Sequence, residues 1–123
     1  QGILSYLSGR YQVAGLYLLD EPEAALSPAS QIRFLQTLHA LERRGHAQFI
    51  IATHSPILLA CPGAQIFDFD TAPIRETRYR DTTHYRIYKQ FFADPDVFVT
   101  PAVERKEERH EPDQDHIPVP SVY

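Results

Sequence analysis

The sequence predicts an α/β fold with parallel central strands, flanking helices and a terminal β-hairpin. Two apolar runs, residues 16–19 and 48–53, have the composition of strands buried in a sheet, and the segment between them has helical periodicity. A strand, a helix and a second strand in this order form a right-handed crossover between parallel strands. The chain has 123 residues, 43% of them hydrophobic, which suffices for one domain with a core of ordinary size.

The helix between the two strands is predicted to begin at Ser27 and Pro28 and to end near Arg44. Serine is a favoured N-cap residue, and proline suits the first helical position because its missing N–H is not needed there. Gly45 then provides the C-terminal stop. The apolar stripe of the helix is predicted from Phe34 together with residues spaced three apart: Ile32, Leu35, Leu38 and Leu41.

Shorter elements are predicted around this unit. Apolar residues three and four apart predict a short helix within residues 3–11, and residues 56–61 are compatible with another. Residues 65–70 and 74–80 alternate in polarity and predict the terminal hairpin. Residues 83–92 are predicted to form a helix with a broad apolar side, which contains Tyr85, Ile87, Tyr88, Phe91 and Phe92.

The composition changes after residue 93. Residues 94–123 contain half of the prolines and the charged run "ERKEERHEPDQDH". Such a composition buries too little apolar surface to order itself. We therefore predict a folded domain over residues 1–93 and a flexible tail, rich in proline and charge, over residues 94–123.

Charge and composition argue against several classes of protein. The net charge of −4 comes without a basic stripe, so no nucleic-acid interface is indicated. No apolar run approaches the roughly 18 residues of a membrane helix, and Cys61, the only cysteine, cannot form an internal disulfide. We expect a soluble, cytoplasmic protein without membrane contact. Because no methionine occurs, even at position 1, we also expect the chain to be part of a longer polypeptide.

Two adjacent carboxylates, Asp20 and Glu21, follow the first apolar run. The C-terminal ends of parallel strands are where open α/β sheets bind ligands. Asp20 can bind Mg²⁺ there, since this ion prefers oxygen ligands, and Glu21 can orient or deprotonate an attacking water. The alternative is a polar strand end that leads into a turn.

His54 follows the second apolar run and favours the functional interpretation. A single histidine in this position is usually structural. If the two strands are neighbours, however, His54 reaches the same crevice as the two acids, where it can hydrogen-bond a phosphate or the attacking water.

The segments "LYLLDEPEAALSP" and "FIIATHSPILLA" resemble the Walker B, D-loop and H-loop segments of ATP-binding-cassette (ABC) ATPases. The sequence "EPEA" is similar to that of soluble predicted ATPases of the AAA family, related to chromosome-maintenance and recombination heads. The resemblance covers about residues 1–98 and implies the C-terminal part of a P-loop NTPase, with ATP and Mg²⁺ as cofactors. It further implies that Asp20 binds the metal, that Glu21 is the catalytic base and that His54 senses the γ-phosphate.

Members of this family work as homodimers that hold ATP between them. The resemblance implies that Gln1 is the last residue of a signature motif that contacts nucleotide, because its distance from Asp20 is similar to that in the family. Ser27 stands in the D-loop, where aspartate is commoner, so it either takes part in nucleotide binding or caps the following helix. We favour the cap.

The segment "DTTHYR" resembles the stretch that follows the last hairpin in the same ATPases. Tyr85 fits the apolar side of the predicted helix. We therefore expect His84 beside it to make a surface or capping contact rather than to take part in the site.

No Walker A motif, G-x-x-x-x-G-K-[ST], occurs in the 123 residues. We expect an upstream segment or a partner chain to supply this phosphate-binding loop, so that the full-length protein hydrolyses ATP and this chain alone is inactive. One alternative is a truncated, non-catalytic interaction or dimerisation module. The nucleotide-binding subunit of a transporter is another, which Glu23 and Ser27 disfavour.

Overall fold

A computed structural model of the chain describes residues 14–45 and 47–101. The helix predicted within residues 3–11 and the tail from residue 102 onwards lie outside these ranges. The strands and α-helices are, in chain order, β1 (Gly15–Asp20), α1 (Pro28–Arg43), β2 (Ala47–Ala52), β3 (Ile66–Asp68), β4 (Arg75–Thr77), α2 (Thr83–Ala93) and α3 (Asp96–Val99). Short 3-10 helices occupy Pro22–Ala25, Leu58–Ala60 and Tyr79–Asp81.

Strands β1 and β2 are parallel neighbours, as predicted. Gly15 lies opposite Ala47, and the pairing continues to Asp20 opposite Ala52. The N–H of Glu21 then donates to the Ala52 carbonyl at 2.8 Å. Because the two strands end side by side, the loops that follow them begin at the same edge of the sheet.

Helix α1 begins and ends where the sequence predicts. The Ser27 hydroxyl accepts a hydrogen bond from the N–H of Ser30 at 3.2 Å, and Pro28 is the first helical residue. At the other end, Gly45 has a φ of +72°, a conformation that glycine adopts without the steric cost of a Cβ atom. Local capping chemistry therefore determines both ends of this helix.

The core lies between α1 and one face of the β1–β2 sheet. Its buried members are Phe34, Leu38 and Leu41 of α1 and Leu58 of the following 3-10 helix. Alternate residues of both strands pack against them: Tyr17 and Leu19 from β1, and Phe49 and Ile51 from β2. Every second residue of each strand therefore packs against the apolar side of α1.

Ile32 does not belong to the buried stripe of α1, contrary to the prediction. Its side chain is 48% exposed, whereas Phe34 is 1% exposed. Residues in an α-helix are rotated by about 100° each, so nine positions from Ile32 to Leu41 place the two on opposite sides. Residues spaced three apart do not stay on one side of a helix, because three residues fall short of a full turn. Only those on the same side as Phe34 lie in the core.

The opposite face of the β1–β2 sheet is not covered by the described residues, although the apolar run of residues 16–19 predicted a strand buried in the sheet. Leu16, Leu18 and Ile50 are 57%, 71% and 54% exposed. The described part of this sheet contains β1 and β2 alone, so each strand also has a free edge there.

The remaining elements agree with the predicted types. Strands β3 and β4 form the antiparallel hairpin, with Ile66 opposite Thr77, and α2 spans the predicted helix. The described residues divide into two compact units after Tyr88. Helix α3 lies within the segment predicted as a tail; the boundary at residue 93 stays a prediction. None of the helices in the described ranges is long and apolar enough to cross a membrane.

Candidate functional site

Asp20 and Glu21 lie at the C-terminal end of β1, where the chain changes direction. Asp20 is the last residue of the strand and is exposed. Glu21 has φ 44° and ψ 54°, the left-handed region that few residues other than glycine adopt. The 3-10 helix that follows begins at Pro22, which is buried. The backbone turn at Glu21 ends the alternation of side chains along the strand, at a cost of about 1–2 kcal/mol.

Glu21 faces the histidine that follows the neighbouring strand. Its Oε1 lies 3.4 Å from Nε2 of His54. The two side chains are 55% and 74% exposed, so solvent screens the ion pair that forms when His54 is protonated. The contact therefore matters for geometry more than for stability, because it places a carboxylate and an imidazole side by side where β1 and β2 end.

Glu23 holds the backbone of the second loop in place. Its Oε1 accepts a hydrogen bond from the N–H of His54 at 2.9 Å. Burial raises the pKa of this carboxyl, but the N–H groups of Glu23 and His54, with the Thr53 hydroxyl, outweigh burial and lower the pKa below its ordinary 4.5. Among the described residues, the buried Oε2 atom of Glu23 has no hydrogen-bond partner. We therefore attribute the lowered pKa of Glu23 mainly to the backbone N–H groups of Glu23 and His54.

A second polar bridge joins the same two loops through α1. The buried Ser55 hydroxyl donates to Gln31 Oε1 at 2.5 Å, and Gln31 Nε2 donates to the Leu26 carbonyl at 3.1 Å. The Ser55 oxygen also accepts from the N–H groups of Ile57 and Leu58, each at 3.2 Å. Residues 21–27 and 53–57 are therefore tied together by two independent bridges.

His84 contacts the site from the first turn of α2. Its Nε2 lies 3.2 Å from Nδ1 of His54. The residue that caps α2 is instead Thr82, whose hydroxyl accepts from the N–H of Tyr85 at 3.2 Å. Of the two contacts predicted for His84, the cap is therefore made by Thr82, and the exposed contact of His84 is with the site residue His54.

The structure brings two of the predicted site residues, Glu21 and His54, into side-chain contact, and Asp20 precedes Glu21 as the last residue of β1. Ser27 acts as the favoured helix cap, and its participation in nucleotide binding stays a prediction. Gln1 lies outside the described residues. Sequence reasoning missed the bridging residues Gln31 and Ser55 and the contacts of Glu23 and His84. Each depends on a partner at least 24 positions away.

The carboxylates and imidazoles of the candidate site suit a metal ion that takes few of its ligands from the protein. In the described ranges, no group of three or more His, Cys, Asp or Glu side chains is arranged to hold a metal ion. Asp20 offers an exposed carboxylate at the strand end. Mg²⁺ commonly takes one or two carboxylates and completes its shell with waters and phosphate oxygens. Asp20 therefore fits as a magnesium ligand, whereas a site made of protein atoms alone does not.

Comparison with known proteins supports a nucleotide-binding domain. Residues 2–60, just under half of the chain, match the family model described as "AAA domain, putative AbiEii toxin, Type IV TA system". No curated protein and no solved structure is significantly similar to the chain. The matched segment contains β1, α1, β2 and both loops of the site. It supports an AAA-type, P-loop NTPase-like domain.

Proposed function

From the similarity of residues 2–60 to AAA-type domains, we propose that the chain forms part of a soluble ABC-type ATPase that hydrolyses ATP with Mg²⁺. One observation carries the proposal: Glu21 Oε1 lies 3.4 Å from His54 Nε2, and Asp20 directly precedes Glu21 at the end of β1. In this proposal Asp20 binds the metal, Glu21 activates the attacking water and His54 hydrogen-bonds the phosphate, all from the same edge of a parallel sheet. The chemistry of phosphate hydrolysis needs these three roles.

Asp20 is the proposed magnesium ligand. When bound, Mg²⁺ offsets negative charge on the phosphate oxygens. The exposed carboxylate of Asp20 has a place in the ion's shell because the other positions are available to water and to phosphate.

Glu21 is the proposed base. Its carboxylate is 55% exposed, so it can accept a hydrogen bond from a water molecule and remove the proton as that water attacks phosphorus. His54 donates an N–H to the terminal phosphate oxygen, which explains why an imidazole follows the neighbouring strand. The left-handed backbone conformation of Glu21 supports separate roles for Asp20 and Glu21, because Asp20 belongs to the extended strand and Glu21 does not.

The remaining parts of the machinery are proposed from the resemblance to ABC-type ATPases. No G-x-x-x-x-G-K-[ST] motif occurs in the sequence, so we propose that a segment outside it supplies the phosphate-binding loop. We further propose a cytoplasmic homodimer that encloses ATP, in which Gln1 and Ser27 lie near the nucleotide.

A second candidate is a non-catalytic dimerisation module. The exposure of Leu16, Leu18 and Ile50 on one face of the sheet favours it, because contiguous apolar surface is typical of contact sites. It makes a different prediction, since such a module needs neither Asp20 nor Glu21.

Steady-state ATPase activity and ATP binding of the full-length protein distinguish the two candidates. Glu21→Gln should lower kcat by at least about a hundredfold while ATP binding survives, because only the proton acceptor is lost. Asp20→Asn should weaken the magnesium dependence as well. Glu42→Gln, an exposed position of α1, is the matched control and should keep full activity. Equal activity in Glu21→Gln would remove Glu21 as the base, and absence of any ATPase activity would favour the second candidate.

A further inference from the structure

Both ring nitrogens of His54 have a side-chain neighbour. Glu21 Oε1 lies 3.4 Å from Nε2, and His84 Nε2 lies 3.2 Å from Nδ1. The two imidazole rings are 5.4 Å apart between centroids and inclined by 37°. The proposed function uses the Nε2 side of His54 and assigns nothing to the group on the other side.

The position of His84 is fixed by its own surroundings. Thr82 is buried, and its hydroxyl donates to the Tyr79 carbonyl at 2.7 Å while accepting from the N–H of Tyr85 at 3.2 Å. The rings of Tyr79 and Tyr85 meet edge to face, with centroids 4.9 Å apart. These contacts, all within residues 79–85, order the backbone on both sides of His84 at the first turn of α2.

The chemistry of the two neighbours favours one direction for the hydrogen bond. A neutral imidazole has one N–H donor and one acceptor nitrogen. The Glu21 carboxylate accepts hydrogen bonds, so a hydrogen on Nε2 of His54 is favourable and leaves Nδ1 as an acceptor. His84 can satisfy that acceptor by donating its own Nε2–H. The opposite direction would turn the lone pair of His54 Nε2 towards the carboxylate.

We propose that His84 is a positioning residue: it donates Nε2–H to Nδ1 of His54 and holds that ring as the tautomer that carries its hydrogen on Nε2. The N–H of His54 is then directed to the edge of the sheet where Asp20 and Glu21 lie. This proposal rests on the proposed function, in which the same N–H is donated to the terminal phosphate.

The direction of the hydrogen bond can be measured directly. Nitrogen chemical shifts of the full chain labelled with ¹⁵N-histidine distinguish protonated from bare ring nitrogens, with His54→Gln and His84→Leu used to assign the signals. We expect a hydrogen on Nε2 of both rings and a bare Nδ1 in His54. A hydrogen on His54 Nδ1, with a bare Nε2 in His84, would overturn the proposal.

Two variants of His84 test whether it holds the tautomer. His84→Gln keeps an N–H donor and should leave the His54 signals unchanged, whereas His84→Leu should shift both His54 nitrogens towards a mixture of tautomers. His39→Gln on α1 is the control and should change nothing. Unchanged His54 signals in His84→Leu would show that His84 does not position the ring.

Kinetics of the full-length protein then test the consequence. His84→Leu should lower kcat by about tenfold with little change in KM for ATP, as found when partners that orient site ligands are removed. His84→Gln should recover most of kcat. An unchanged kcat in His84→Leu would contradict the role in hydrolysis. If no ATPase activity exists in any form, the proposed function fails, and the nitrogen shifts still decide whether His84 positions His54.

Discussion

The side chain of Glu23 accepts a hydrogen bond from the backbone N–H of His54 at 2.9 Å. This contact fixes the second loop through its main chain, whereas Glu21 approaches the His54 side chain at 3.4 Å. In the sequence "DEPEA", the first glutamate is therefore exposed to solvent and to the site, and the second, partly buried, is structural. The two carboxylates lie two positions apart and differ because the left-handed turn at Glu21 separates them.

The lowered pKa of Glu23 predicts that its contribution to stability depends on pH. Because the folded state favours the ionised carboxyl, the stabilisation is present above the ordinary pKa of 4.5 and is lost as pH falls through the lower folded value. Glu23→Gln cannot titrate. The difference in free energy of unfolding between wild type and this variant should therefore shrink at acid pH.

Urea unfolding at neutral pH and at about pH 3.5 measures this difference. Glu76→Gln in β4, an exposed carboxyl for which no such contact is seen, provides the control. A difference that is the same at both pH values would show that the ionised form of Glu23 is not stabilised by the fold.

The bridge between Gln31 and Ser55 should stabilise the protein measurably. Ser55→Ala removes a buried hydroxyl that serves the N–H groups of Ile57 and Leu58 as well as Gln31. Unsatisfied buried polar groups cost about 1–3 kcal/mol, and we expect a loss in this range. A double-mutant cycle with Gln31→Ala should give a coupling of about 0.5–1.5 kcal/mol, measured by urea unfolding. Strict additivity would mean that the two side chains act independently.

Substitution by alanine in α1 should lower the free energy of unfolding much more at Phe34 than at Ile32. Phe34 is 1% exposed and lies in the centre of the core, so Phe34→Ala should cost about 3–5 kcal/mol of unfolding free energy. Ile32→Ala is the matched control on the same helix, and its 48% exposure predicts a loss below about 1 kcal/mol. Similar losses at the two positions would contradict the observed orientation of α1.

The left-handed backbone of Glu21 predicts an unusual preference for glycine. Glu21→Gly should be more stable than Glu21→Ala by about 1 kcal/mol, because alanine has a Cβ atom that crowds the following carbonyl in this conformation. At Gln36, an exposed position inside α1, the order should reverse, with alanine better by about 1 kcal/mol. Thermal or urea unfolding of the four variants gives both differences. Alanine preferred at both positions would exclude the left-handed turn.

The sequence alone predicted the central strands, the helix between them, the hairpin and the helix that follows it, and it indicated a candidate site at one edge of the sheet. Apolar runs of strand length predicted β1 and β2, and Ser27, Pro28 and Gly45 predicted the ends of α1, because capping and turn preferences act over a few neighbouring residues. The same local signals indicated Asp20, Glu21 and His54, since Asp20 ends β1, Glu21 follows it and His54 comes shortly after β2.

The tertiary structure alone decided which side chains meet at that edge. The choice of Phe34 over Ile32 for the core, the link from Gln31 to Ser55 and the contact of His84 with His54 all join residues that are distant in the sequence or depend on the exact rotation of a helix. Local propensity carries no information on such pairings. They follow from the packing of α1 on the sheet and from the position of the first turn of α2, which bring separate segments within hydrogen-bonding distance.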